Sequence, residues 1–538
     1  MADRSSLTGT IRTRASRSAA DPRPSADLSP GEQAPAETPR DNLRQWTGFA
    51  VGIVGAVLAY LLMPEDVGHP ARLTAAVAVL MAAWWMTQAL PLPVTALIPL
   101  ALFPVLGRDD ETSAADVMGQ IGASYGNPII FLFLGGFMLA LAMQRWNLHK
   151  RLALLVIRAI GTKPTSMIGG FMIATALLSM WVSNTATAVM MLPIGVSVLL
   201  LVANASDLDT TGDEDARPGG HSAMRTRFGT ALMLGIAYAA SIGSLGTIIS
   251  TPPNVLFAAH MREAHGVDIS FGQWMLVGVP LGAVFLFLAW VLLAKVVFRP
   301  EITEIPGGRE MIGAELAKLG RMTSGEIRVL VVFVLAALGW VLVPLLWPEA
   351  QPVSEHGIAI VVALLLFILP AGANRGVRLL DWSAANELPW GVLLLFGGGL
   401  ALSSQFTASG LSAWIGAQVE GLAGVPVWVL VLIVCIGVLV LTELSSNTAT
   451  AATLLPVAGG VSIGLGIDPL LLAFPVAVAA TCSFMLPVAT PPNAIAYGSG
   501  YVTAAQMLKG GFWLNVIALG LVSVATLTLA TWVFGIGW

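Results

Sequence analysis

The chain has 538 residues, 56% of them hydrophobic and only 11% charged, with a net charge of −4, against roughly a quarter charged in soluble domains. That balance excludes a soluble globular protein, and with no basic stripe it gives no footing to a nucleic-acid partner. Cys435 and Cys482 lie inside apolar segments without metal-ligand spacing and are read as packing residues.

Residues 1 to about 45 are rich in Arg, Ser, Ala and Pro and cannot bury a core, so a disordered tail is expected there. No apolar run follows its first charges before about residue 48, which argues against a secretory signal. Stretches long enough for a roughly 30 Å hydrocarbon core then recur. Crossings are expected near 48–64, 72–88, 92–107, 127–147, 228–262, 274–297, 327–347, 355–371, 388–407, 468–500 and 511–535. They make an all-α polytopic membrane protein of about 11 transmembrane helices, because each backbone polar group in lipid needs a partner within its own segment. Two more apolar stretches, 165–202 and 424–462, are too long for one helix and are interrupted centrally by Ser-Asn-Thr. Each is read as a re-entrant hairpin that enters and leaves on one side. A charged connector, 298–326, separates the halves and is expected to hold an interfacial helix.

Charge asymmetry orients this layout. Basic clusters at Arg145, Lys150, Arg151, Arg158 and Lys163, at Lys295 through Arg328, and at Arg375 and Arg378 put the N-terminus in the cytoplasm. The segment 408–423 and the C-terminus carry none, so the C-terminus is expected outside, the first hairpin opening inward and the second outward. The halves then read as inverted repeats. FLGGFMLALA (133–142) is echoed by LFGGGLALSS (395–404), and ISTPPNVLFA (249–258) by VATPPNAIAY (488–497), in the same order as the tripeptides.

Ser, Asn and Thr cap helix N-termini, so each hairpin tip is expected to open its returning arm as a capped helix whose free N–H groups favour an anion. Hydroxyl, amide and carbonyl oxygens together also suit Na⁺ better than a transition metal. The paired prolines at Thr251–Asn254 and Thr490–Asn493 should break their helices inside the membrane and free carbonyls. Broken helices at matched places in two halves mark a transporter site near the bilayer midplane. The blander alternative, hydrogen bonds that merely join helices, loses force because both tripeptides come with their own proline break. Glu443 has Met180 as its counterpart and is read as an anchor of the second tip rather than an ion ligand. His260 is expected at the interface. The loop Asn204–Gly220 starts like a calcium site with Asp207, Asp209 and Gly212 but has Pro218 where a bidentate Glu is needed, and is read as a solvated acidic loop. Without HExxH or a nucleophile elbow around Gly498–Gly500, no enzyme activity is expected.

The two Ser-Asn-Thr words, the two TPPN words, TQALPLPVTALIPL (87–100) and DWSAANELPWGVLLLFGGGLAL (381–402) resemble the divalent anion sodium symporter family, over about residues 46–538. The resemblance implies a homodimer with scaffold helices at 46–164 and 327–423, and transport elements at 165–297 and 424–538 that move as an elevator. It implies a first Na⁺ site at Ser179, Ser183 and Asn184 with backbone help at Ser250, and a second at Thr442, Ser445, Ser446 and Asn447 with backbone help at Ala489. A small dianionic substrate would meet Asn184, Thr185, Asn447, Thr448, Thr490 and Pro491. The expected function is Na⁺-coupled symport of C4-dicarboxylates (succinate, malate, fumarate) across the cell membrane. Sodium-independent exchange, sulfate or citrate symport and a passive anion channel are the rivals.

Overall fold

The computed structural model describes residues 39–536 apart from 109–111, 162, 206–225, 306, 348–350, 374 and 423. The first half runs α1 (Pro39–Leu62), α2 (His69–Thr87), α3 (Leu92–Thr95), α4 (Ile98–Leu106), α5 (Ala114–Ala123), α6 (Pro128–Arg145) and α7 (Leu148–Ile160). It continues through α8 (Pro164–Ser179), α9 (Asn184–Ala205), α10 (Arg227–Gly243), α11 (Pro252–His265) and α12 (Phe271–Val291). The connector holds α13 (Gly308–Lys318). The second half runs α14 (Ser324–Leu346), α15 (Glu355–Ile368), α16 (Trp382–Ala385), α17 (Trp390–Ala408) and α18 (Leu411–Gln418). Then come α19 (Val427–Leu444), α20 (Asn447–Leu465), α21 (Leu470–Thr481), α22 (Pro491–Gly498), α23 (Ala504–Ala525) and α24 (Thr531–Phe534). Among the described residues the only extended pairing is an isolated bridge between Pro370 and Arg378.

Nine of these helical stretches are long and apolar enough to cross a membrane. This is an all-helical, multi-pass membrane protein. Several expected boundaries change. α1 begins at Pro39, inside the stretch read as a tail; residues 1–38 and the acidic loop from 206 on lie outside the described residues. The crossing at 92–107 is divided into α3 and α4, where Pro91 precedes one helix and Pro99 opens the next. The crossings at 228–262 and 468–500 are each two helices around a break at TPPN, as the prolines require. α7 and α18, not expected as helices, follow α6 and α17 directly, at matching places in the two halves.

The halves share further detail. α12 and α23 each run on into a π-helical segment, Leu292–Val297 and Thr526–Ala530. The echoed glycine words are crossing points: a side chain at Gly135 would overlap the backbone carbonyl of Ala359 in α15, and one at Gly398 that of Ala96. Small residues let helices approach backbone to backbone where lipid supplies no hydrophobic drive. The first parts of the two broken helices form the inner axis. α10 buries every residue from Phe228 to Gly243, and α21 every residue from Leu470 to Thr481, which is why both read apolar on all sides.

His260 departs from expectation. It is buried, not interfacial, because α17 offers Ser403 Oγ 2.5 Å from its Nδ1 and Gly459 of α20 leaves room for the ring.

Candidate functional site

The first hairpin turns at residues 180–183. α8 ends at Ser179, α9 starts at Asn184, and Ser183 Oγ accepts from Ala186 N at 3.3 Å, the cap that the tripeptide predicts. Asn184 Oδ1 accepts from Thr185 N at 2.8 Å. Ser179 is fully buried, and its hydroxyl donates to Ala240 O of α10 at 2.6 Å. Thr247 Oγ1 donates to Met180 O at 2.5 Å and so ties the break loop to the tip.

The second hairpin repeats the plan with different contacts. Thr442, also fully buried, has its hydroxyl 2.6 Å from Ala480 O of α21 and 2.9 Å from Asn447 Oδ1. Ser483 donates to the same Asn447 oxygen at 2.9 Å. Here the expected cap is missing. Ser446 precedes α20 without a side-chain bond to it, and Ser445 turns its hydroxyl to Leu441 O at 2.9 Å and Thr450 Oγ1 at 2.7 Å. Thr442 and Asn447 are thus brought together, while Ser445 and Ser446 stand aside.

Both breaks are loops closed by an extended threonine ahead of the two prolines. Thr251 (φ −147°, ψ 144°) and Thr490 (φ −139°, ψ 151°) are buried residues in the geometry that a following proline favours. Thr490 Oγ1 caps Asn493 N at 3.3 Å, whereas Thr251 makes no such bond. Ser250 donates its hydroxyl to Thr247 O at 2.7 Å and to Ser244 O, so its side chain is engaged within its own loop. Ala489 is buried and Pro491 exposed; Thr185 and Thr448 are half-buried in the first turns of α9 and α20.

Each hairpin's returning arm packs on the other half's proline helix: α9 on α22, and α20 on α11. Leu256, early in α11, and Ala452, early in α20, flank the same α-carbon, 3.2 and 3.7 Å from where a side chain at Gly399 would start. α11 and α20 therefore meet at α17 about one turn in from their N-termini, where free N–H groups and helix dipoles favour an anion.

Glu443 is 2% exposed. Its carboxylate accepts from Phe484 N at 2.7 Å, Met485 N at 2.9 Å and Leu486 N at 3.1 Å, and from Asn515 Nδ2 at 2.8 Å. It fills a nest of backbone donors that the second break opens, which makes it an anchor of that break more than of the tip. Sequence reasoning did not reach Ser483, which carries no local signal, nor Thr247. Asn254 and Asn493 were visible as the last letters of TPPN, but only the prolines were used.

The donor set fits a hard monovalent cation: hydroxyl, amide and carbonyl oxygens, no thiolate or imidazole at either tip, and a buried Thr187 Oγ1 without a protein partner one turn beyond Asn184. Among the described residues no group of three or more His, Cys, Asp or Glu side chains gathers as a metal site. Paired breaks inside a helical bundle, with oxygen-rich tips at each, define a membrane transporter rather than an enzyme.

Comparison with known proteins agrees. The family described as the sodium:sulfate symporter transmembrane region matches residues 43–536, and the chain belongs to that family. It is 41% identical over 502 residues to the sodium-dependent dicarboxylate transporter SdcS of Staphylococcus saprophyticus, covering 92% of this chain and 93% of the relative. It is 42% identical over 499 residues to SdcS of Staphylococcus aureus strain MRSA252, covering 91% and 93%. Among solved structures, the YdaH transporter of Alcanivorax borkumensis aligns with a TM-score of 0.54 at 16% identity, over 86% of this chain and 98% of that one. MtrF of Neisseria gonorrhoeae aligns with 0.51 at 12%, over 90% and 98%. These two are similar in fold alone.

Proposed function

We propose that this chain is a Na⁺-coupled symporter of C4-dicarboxylates such as succinate, malate and fumarate. The observation that supports the reading is the pair of proline-broken helices, each packed on the other half's Ser-Asn-Thr arm, an arrangement suited to bring oxygen ligands for cations near helix N-termini for an anion. Relatives at 41% and 42% identity named as sodium-dependent dicarboxylate transporters support both ion and substrate class.

In this reading one Na⁺ is held by Ser179, Ser183, Asn184 and the backbone of Ser250, and another by Thr442, Ser445, Ser446, Asn447 and the backbone of Ala489. Ser445 and Ser446 must then turn from their present contacts when the ion binds. The substrate carboxylates meet Asn184, Thr185, Asn447, Thr448, Thr490 and Pro491. No Lys, Arg or His occupies 179–185 or 442–448, so Na⁺ is the source of positive charge opposite a dianion. Burying the dianion first would leave its charge uncompensated in a low-dielectric site, so cations bind before it. The protein works as a homodimer in the cell membrane, N-terminus inside and C-terminus outside. Its two inverted repeats contribute scaffold helices (46–164, 327–423) and moving transport elements (165–297, 424–538).

Labelled succinate taken up by proteoliposomes under an inward Na⁺ gradient, and not with choline in place of Na⁺, is the expected result. Uptake unchanged in choline overturns the coupling. Competition by sulfate or citrate stronger than by malate and fumarate overturns the substrate class.

A further inference from the structure

Each TPPN word ends in an asparagine that the ion and substrate sites leave unused. Asn254 is fully buried, and its Nδ2 donates to Ser244 O at 3.0 Å and Thr247 O at 2.9 Å, ten and seven residues upstream. Asn493 is buried as completely, and its Nδ2 donates to Ser483 O at 3.2 Å and Leu486 O at 3.1 Å, again ten and seven residues upstream. Two carbonyl acceptors in each copy fix which end of the amide is the NH₂. The other end, Oδ1, is buried in both copies without a protein partner.

The surroundings of the two amides differ. Ser250 stands where the second copy has Ala489, and Met180 where it has Glu443. Only the first loop has a serine hydroxyl on the stapled carbonyls, and only the second has a carboxylate on its N–H groups. What both retain is an amide that rolls the break loop into one turn and then leaves its own oxygen unpaired. A buried acceptor without a partner is costly, more so than a made bond is favourable, so its recurrence at matched positions points to a partner that arrives with the cargo.

We propose that Asn254 and Asn493 are positioning residues for the coupling cation. Each NH₂ holds the loop that presents a site carbonyl, at Ser250 in one half and Ala489 in the other. Each Oδ1 is the acceptor satisfied when the cation, or a water it carries, enters. The inference rests on the sodium-coupled reading above. Its energetic logic is preorganisation: a stapled loop offers its oxygens already in place, whereas a released loop must be ordered by the ion, and the loss falls on Na⁺ affinity.

The test uses the full chain with Asn254→Ala, Asn493→Ala, Asn254→Asp and Asn493→Asp. Succinate uptake in proteoliposomes is titrated with Na⁺, and the thermal shift given by Na⁺ alone is measured on purified protein. The alanine variants are expected to raise the half-saturating Na⁺ concentration by about tenfold or more. An ionised Asp can donate to neither carbonyl, whereas a protonated one can donate its single O–H to one of them. With the carboxyl neutral at low pH, the aspartate variants should therefore regain part of the Na⁺ affinity that the alanine variants lose, relative to the unsubstituted chain at each pH. That recovery decides the matter even where alanine compromises folding.

A merely structural role would lower the melting temperature in Na⁺-free buffer and leave the half-saturating Na⁺ concentration and its pH profile unmoved; that result overturns the proposal. Absence of any Na⁺ effect on the unsubstituted chain, in both assays, would instead remove the sodium reading itself and the inference with it.

Discussion

At the scale of single residues, the buried carboxylate of Glu443 carries a large energetic stake. Three backbone N–H groups and the Asn515 amide all donate to it, and it is almost wholly buried. Glu443→Gln turns one acceptor into an NH₂ facing donors, and leaves part of the nest unpaired. A loss of about 3 kcal/mol or more is expected, read as a lowered thermal unfolding midpoint in detergent; an unchanged midpoint would show that the nest is held by other contacts. A second residue-scale effect concerns acid. His265, at the end of α11, packs its ring 5.1 Å from that of His260, with Asp468 as the charged group that faces it from the α20–α21 turn. Burial lowers its pKa from the ordinary 6.5, and Asp468 only partly offsets this. A lowered folded-state pKa means that the unfolded chain takes up the proton first. Stability is unaffected by this group above about 6.5 and declines as pH falls from there toward the folded value. Unfolding midpoints measured down that range should fall less steeply for His265→Gln.

Elements are where the sequence was most and least informative. The hairpin tips and the proline breaks were legible because they rest on local rules: caps, missing N–H donors and the restricted residue before proline. The division of the chain at the tips came out at Ser179 and Asn184, and at Leu444 and Asn447. What each polar side chain then bonds to was not legible, because it depends on another element. Ser446 was expected to cap α20 and does not, and His260 was expected at the interface but meets Ser403 of α17. Glycines sit between these cases: the echoed words advertised a repeat, and only the fold shows that they are helix crossings. Gly398→Ala would drive a methyl into the Ala96 backbone, and a loss of about 1–3 kcal/mol is expected. Gly437→Ala in α19 meets nothing within 4 Å, and should be neutral or gain up to about 1 kcal/mol from helix propensity. Thermal unfolding of the pair checks the contrast; equal effects would mean that α17 can shift away from Ala96 at little cost.

Across the whole molecule, the two breaks match in construction but differ in surroundings. Ile249, ahead of the first TPPN, is 4% exposed, and lies against Gly136 of α6. Val488, its counterpart, is 84% exposed. Trp181 at the first tip likewise meets Phe333 of α14 with ring centroids 4.8 Å apart, whereas Leu444 at the second tip is 70% exposed. Residues beside the first break and tip are thus covered by α6 and α14, while their counterparts beside the second are exposed on this chain. A transporter that alternates its access must exchange such environments, since a site covered at the same end in every state would never release on that side. The elevator reading gives this a measurable form. The native Cys435 and Cys482 are both buried, so an introduced thiol reports against a quiet background. Val488→Cys should react rapidly with a small thiol reagent and Ile249→Cys slowly in Na⁺-free buffer. Saturating Na⁺ with succinate, which lets the moving elements cross, should slow the first and speed the second. Opposite changes follow only if the two breaks trade places against the same scaffold helices; if both rates fall together, the cargo merely tightens one closed site and the exchange of cover does not occur.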